Sequence, residues 1–217
     1  RRFLAPENHW PPNDAWIYHI QRGHANLPHH EQTRMIAGAN FGKIDSLETY
    51  VKYGQAMHVE MTRSEYESAR RDRPNNGGTM SWMLNDCWPT SNWSIIDYFK
   101  WPKPSFYAAK RSCRPVVPII FERCCTISIF VDNQRPSSID CELAFGQASV
   151  DGKELWKRKV NIEAGANECT VVYRIERSSL ELHPGDYLFV DLNAGDLSVE
   201  RLTWFPDGWR DVEWPET

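Results

Sequence analysis

The 217 residues carry 25 Lys and Arg against 29 Asp and Glu, a formal net charge of −4 and a pI near 6.0, and 41 % of them are apolar. This composition predicts a globular chain with room for one large domain or two smaller ones, excludes intrinsic disorder, and gives no electrostatic case for a nucleic-acid partner. No apolar run approaches the roughly 18 residues of a membrane-spanning helix, so no membrane partner is expected.

The chain begins at Arg1 rather than Met, which predicts a piece of a longer protein and leaves the parent's compartment open. Residues 1 to 28, rich in Pro, Asn, His and Trp, read as an irregular excursion with short helical pieces. His9, His19, His24, His29 and His30 fit no tetrahedral ligand spacing, so no metal site is expected. A short helix is expected over 29–41, stopped by Gly42. The strongest helix starts after Ser46, an N-cap residue, with Glu48 in the first turn where the dipole favours a negative charge. Leu47, Tyr50, Val51, Gly54, Met57, His58 and Met61 recur at spacings of three and four and predict one packed stripe. Arg70, Arg71 and Arg73 oppose the dipole at the helix end, before Pro74, Asn75, Asn76 and a Gly pair break it.

Residues 79–84, short, almost wholly apolar and bounded by turn formers, predict a strand covered on both faces, as in a parallel sheet. A loop with Trp88, Trp93, Asp97, Tyr98 and Trp101 leads to a second helix over 104–113, with Pro104 in its first turn. From residue 116 the pattern turns to alternation. Strands are expected at 117–121, 126–131, 139–145, 155–162, 169–175, 187–192 and 199–204. The turn pairs Asp132-Asn133, Asp151-Gly152, Ala164-Gly165, Pro184-Gly185 and Gly195-Asp196 lie between them. Seven short strands match a two-sheet sandwich of immunoglobulin type. The expected domains are therefore 1–114 and 115–217. Six cysteines without CxxC pairing predict free thiols, with at most one bridge in the C-terminal half.

The run Trp82-Met83-Leu84-Asn85-Asp86-Cys87-Trp88-Pro89 is followed by Ser91-Asn92-Trp93-Ser94-Ile95-Ile96-Asp97-Tyr98, then Trp101-Pro102-Lys103-Pro104 and Tyr107-Ala108-Ala109-Lys110-Arg111. This ordered set resembles the last strand and helix of the catalytic barrel of glycoside hydrolase family 2, in its beta-mannosidase branch. Arg1-Arg2-Phe3-Leu4, Trp10-Pro11-Pro12 and Ser46-Leu47-Glu48 extend the likeness upstream, while Met83, Pro104 and Phe106 depart from the family pattern. The resemblance implies an α/β plus all-β chain: the C-terminal portion of a (β/α)8 TIM barrel followed by an immunoglobulin-like β-sandwich. It also implies a parent enzyme that hydrolyses terminal beta-mannosides with retention, on a carbohydrate substrate and with no cofactor.

Retaining glycosidases use two carboxyl groups about 5–5.5 Å apart. In this family both are glutamates on earlier strands, and neither context occurs here. Ser64-Glu65-Tyr66 imitates one of them but sits mid-helix, so no catalytic residue is expected within the chain and the isolated chain should be inactive.

The substrate-binding candidates are Trp82, Asn85 and Asp86. An indole face packs on the C–H face of a pyranose, and the amide and carboxylate can bond hydroxyls or hold the loop. The plainer alternative makes these residues loop packing, with Asp86 bracing backbone N–H groups. Trp88 is expected to pack, as are Trp10 and Trp16, which anchor their loop. Trp156 and Trp204 are assigned to inter-sheet or interdomain packing, against a rival reading in which Trp156, Trp204, Trp209 and Trp214 make the sandwich a carbohydrate-binding module. Other branches of the family act on glucosaminides, galactosides or glucuronides. A barrel remnant with uncovered apolar surface is also expected to self-associate.

Overall fold

The computed structural model describes residues 3–20, 27–195, 197–210, 212 and 214. Arg1, Arg2, His24 and Asp196 lie outside the described residues. The chain forms two compact units, one of Arg1–Tyr66 with Thr79–Ser112, the other of Glu67–Gly78 with Cys113–Thr217.

The first unit is built on four helices: α1 (Asp14–Ile20), α2 (His29–Phe41), α3 (Leu47–Arg71) and α4 (Pro104–Ser112). The last residues of α3 belong to the second unit. Ser46 starts α3 through a reciprocal cap: Thr49 N–H donates to Ser46 Oγ and Ser46 N–H to Thr49 Oγ1, each at 3.1 Å. The threonine thus takes the place of the usual Glu or Gln of a capping box. Trp16, Ile20, Ala37, Ile44 and Tyr50 form a small core, with Trp16 edge-on to Tyr50 at 5.1 Å and its Nε1–H donating to Asn8 O at 2.7 Å. Trp16 is the loop anchor the sequence predicts. At Gly54 a Cβ would meet the Thr33 methyl at 3.2 Å, so the missing side chain lets α2 and α3 approach. The stripe expected on α3 is not packed throughout: Val51 and Met61 are exposed.

Residues 79–84 are not the expected buried strand. No strand or bridge residue falls within 79–84, and isolated bridges follow it, Asn85 with Ile96 and Ile96 with Pro102. The backbone of Met83 and Leu84 pairs with the following loop, accepting from Ile95 N–H at 3.3 Å and Ile96 N–H at 2.9 Å. An apolar run becomes a covered strand only where neighbouring strands and helices cover it. Here Met80, Trp82 and Leu84, which alternate along the segment, are all exposed.

The second unit holds two antiparallel sheets of β1 (Val116–Arg123), β2 (Thr126–Asn133), β3 (Ile139–Ser149), β4 (Glu154–Ala164), β5 (Glu168–Glu176), β6 (Asp186–Ala194) and β7 (Leu197–Trp204). The strand orders are β1-β2-β5 and β4-β3-β6-β7. All seven strands fall where the alternation predicts them. Ile120, Ile127, Ile129 and Val131 from one sheet share a core with Leu143, Phe145, Leu188, Val190 and Leu192 from the other. Trp156 and Trp204 pack against that core, the former donating its Nε1–H to Gln147 Oε1 at 2.9 Å. Cys124 (φ 49°) and Cys125 (φ 65°) make the tight turn from β1 to β2, taking the left-handed backbone that the strands' twist requires of a two-residue hairpin. All six cysteines are free thiols.

Asp132-Asn133 is not a solvent turn. Both residues are fully buried at the end of β2. Arg70 Nε donates to Asp132 Oδ2 at 2.5 Å, and the Arg73 guanidinium bonds the other carboxylate oxygen. Asn133 Nδ2 faces the carbonyls of Ser137, Ala164 and Gly165 at 3.0–3.1 Å. The arginine cluster therefore ties the end of α3 to β2 rather than merely facing the helix dipole.

Candidate functional site

The three residues expected to form a sugar wall lie along one segment, 82–86, in different surroundings. Trp82 is 78 % exposed and Asn85 is exposed, whereas Asp86 is buried. Asn85 Nδ2 donates to Asp86 O at 3.3 Å. The Asp86 backbone N–H donates to Ile96 O at 3.0 Å, and its Oδ2 accepts from Lys103 Nζ at 2.9 Å. Asp86 thus turns inward as a brace, with an ammonium as its partner rather than the backbone N–H groups expected of it.

Lys103, between Pro102 and Pro104, carries no local sequence signal of a role. A lone lysine between prolines reads as surface. Only the pairing of Ile95 and Ile96 with Met83 and Leu84 brings its ammonium under residue 86. Its Nζ also reaches Asn92 O and Ser94 Oγ, both at 2.8 Å. On the other flank the Ser81 hydroxyl donates to Tyr66 Oη at 3.1 Å, and the Thr79 hydroxyl bonds Glu65. Glu65 lies within α3, as its sequence neighbours predict, and serves as a tether.

A cavity of about 370 Å³ lies in the same unit, lined among others by Tyr50, His58, Ser91, Trp93, Lys103 and Ser105. None of the three candidate residues lines it. Burial, reinforced by the nearby Lys103 charge, lowers the pKa of His58 to about 4, so this imidazole is neutral at physiological pH. Trp93 meets His29 edge-on at 4.6 Å, while Trp88 stacks on His19 at 5.5 Å and remains partly exposed. His19 also bonds Pro89 O at 2.8 Å. These histidines serve packing, and no group of three or more His, Cys, Asp or Glu side chains suited to a metal occurs among the described residues.

What this arrangement can do chemically is limited. It presents an exposed indole and an exposed amide three residues apart on a backbone pinned at both flanks, with no pair of facing carboxylates among the residues just described. An exposed indole face and an exposed amide are groups that can pack on an apolar face and bond hydroxyls.

No family model matches the chain. Over 122 residues, 52 % of the chain and 14 % of the relative, it is 37 % identical to beta-mannosidase B of Emericella nidulans. Over 80 residues, 36 % of the chain and 10 % of the relative, it is 44 % identical to beta-mannosidase B of Aspergillus flavus. Among solved structures, a beta-D-mannosidase from Dictyoglomus thermophilum superposes with a TM-score of 0.86 at 22 % identity, over 97 % of this chain and 26 % of that one. The exo-chitosanase of Amycolatopsis orientalis gives a TM-score of 0.62 at 19 % identity, over 78 % of this chain and 21 % of that one. The chain thus spans no more than about a quarter of the length of these relatives.

Proposed function

We propose that the chain is a beta-mannosidase-like piece of glycoside hydrolase family 2, the C-terminal part of a retaining, exo-acting beta-mannosidase, a reading that its partial sequence matches and its fold match support. In this reading residues 1–114 complete the catalytic (β/α)8 barrel, residues 115–217 form the immunoglobulin-like sandwich, and the parent enzyme removes terminal non-reducing beta-D-mannose. Both catalytic glutamates belong to sequence outside this chain, which alone does not catalyse.

The observation that carries the reading is the Trp82 indole, exposed although its neighbours on both sides are hydrogen-bonded. A large apolar ring held out from a pinned backbone suits stacking on the C–H face of a sugar ring, with the indole N–H and the Asn85 amide available to hydroxyls. Asp86 contributes by holding the loop. The reacting carbon is then attacked by one carboxylate while the other protonates the leaving oxygen. Both are supplied by the rest of the barrel.

Full-length protein assayed on nitrophenyl beta-mannoside, beta-glucosaminide and beta-galactoside tests this. The mannoside is expected to be cleaved fastest, and Trp82→Ala to lower kcat/KM at least about tenfold, which is ~1.4 kcal/mol of transition-state binding. A parent that cleaves none of the three, or an alanine variant as active as wild type, refutes it.

A further inference from the structure

The loop after Asp86 returns to the segment carrying Trp82 through one cation. The Lys103 ammonium has three N–H bonds, and three oxygens stand within 2.9 Å of it: Asp86 Oδ2, Asn92 O and Ser94 Oγ. The lysine side chain is 17 % exposed and the Asp86 side chain fully buried, a setting in which losing one partner strands the other charge. The backbone adds a clip, since Lys103 N–H donates to Ile95 O at 2.9 Å while Ile95 and Ile96 pair with Met83 and Leu84. Ser94, whose hydroxyl also donates to Ile96 O at 2.9 Å, is fully buried within this clip. Trp82 and Asn85 are the two exposed residues that flank the clipped pair.

We propose that Lys103 is a positioning residue for the saccharide face: without touching sugar, it locks Asp86 to the turn at 92–94 and so sets the tilt of the Trp82 indole and the aim of the Asn85 amide. The ligand named here rests on the glycosidase reading, whereas the geometry does not. The three acceptors come from two separate segments and converge on one point. A compact ammonium satisfies that arrangement, and a planar guanidinium fork does not. Because a displacement of about 1 Å at a binding group is enough to cost on the order of 10²-fold in rate, this lock is felt at the sugar.

The test uses the full-length parent with Lys103→Met, Lys103→Arg and the neutral pair Asp86→Asn with Lys103→Met. Each is compared with wild type for thermal unfolding, for kcat and KM on nitrophenyl beta-mannoside, and for the 19F resonance of 5-fluorotryptophan at Trp82, assigned with Trp82→Phe. The expected result is a fall in kcat/KM of roughly 10- to 100-fold in all three, carried mainly by KM, with a shifted or broadened Trp82 resonance. The neutral pair is expected to recover most of the thermal stability that Lys103→Met loses, yet not the KM. That separates positioning from folding. Wild-type KM and an unmoved Trp82 resonance in the folded neutral pair overturn the proposal. If wild-type parent cleaves no glycoside, the glycosidase reading fails, and the resonance alone decides the positioning role.

Discussion

His58 shows how a single residue can set a pH limit without entering the chemistry. Its pKa in the fold is about 4 because burial, then the Lys103 charge, disfavour the imidazolium; His29 pushes in the same direction and Asp86 against it. The unfolded chain, with a histidine near 6.5, takes up the proton first as the pH falls. Stability tied to His58 is therefore complete above about pH 6.5 and is lost progressively down to about pH 4, reaching roughly 3 kcal/mol. His58→Leu is expected to flatten this slope, read as a smaller change in the urea midpoint between pH 7 and 4.5 than wild type shows. An identical slope in the variant contradicts it. At this scale Trp82 and Asn85 stand out in the sequence as binding candidates because their residue types announce chemistry at the end of an apolar run, and what the structure adds is that both are exposed. Lys103 does not stand out, because its role depends on a pairing register that no local pattern encodes.

At the scale of elements, periodicity located nearly everything that makes its own local case. The cap at Ser46 and the helix stop at Gly42 are local signals, and the alternation from 116 onward gave all seven strands. The segment 79–84 failed because an apolar run states only that it wants covering, and it becomes a strand only where the cover exists. The role of Arg70, Arg71 and Arg73 was hidden for a related reason. A cationic helix end has a sufficient local explanation in the dipole, whereas its partner Asp132 lies some sixty residues away in sequence and looked like a turn. Removing that carboxylate leaves two guanidiniums facing a dry site, so Asp132→Ala is expected to cost on the order of 3–5 kcal/mol. Arg71, whose guanidinium lies 3.5 Å from the centre of the Phe121 ring, is a milder case, with Arg71→Ala costing about 1 kcal/mol. Denaturant midpoints of the two variants give the ranking, and an Asp132→Ala loss no larger than that of Arg71→Ala excludes a buried ionic tie.

For the whole molecule the two units differ in how completely they satisfy themselves. The sheets of the second unit close on a shared core of buried aliphatic side chains around Phe145, with further partly buried apolar residues packed against it. In the first unit Met80 is 93 % exposed and Leu84 60 % exposed, on the same alternation as Trp82, and Met61 and Trp101 are exposed as well. Apolar side chains so aligned do not stay in water at high concentration when a like surface can cover them. A second copy is the partner always at hand, so the isolated 217-residue chain is expected to self-associate reversibly, its light-scattering mass rising with concentration across the micromolar range. Met80→Ser with Leu84→Ser removes apolar area without touching the hydrogen bonds of the Ser81, Asp86 and Lys103 anchors, and it is expected to lower that mass while leaving the sandwich intact by circular dichroism. A chain that stays monomeric at about 100 µM, or a double variant that associates as strongly as wild type, argues that the exposed face is already content with solvent. The sugar-wall reading would then lose one of its supports, because a surface at ease in water has little to gain from stacking on a pyranose.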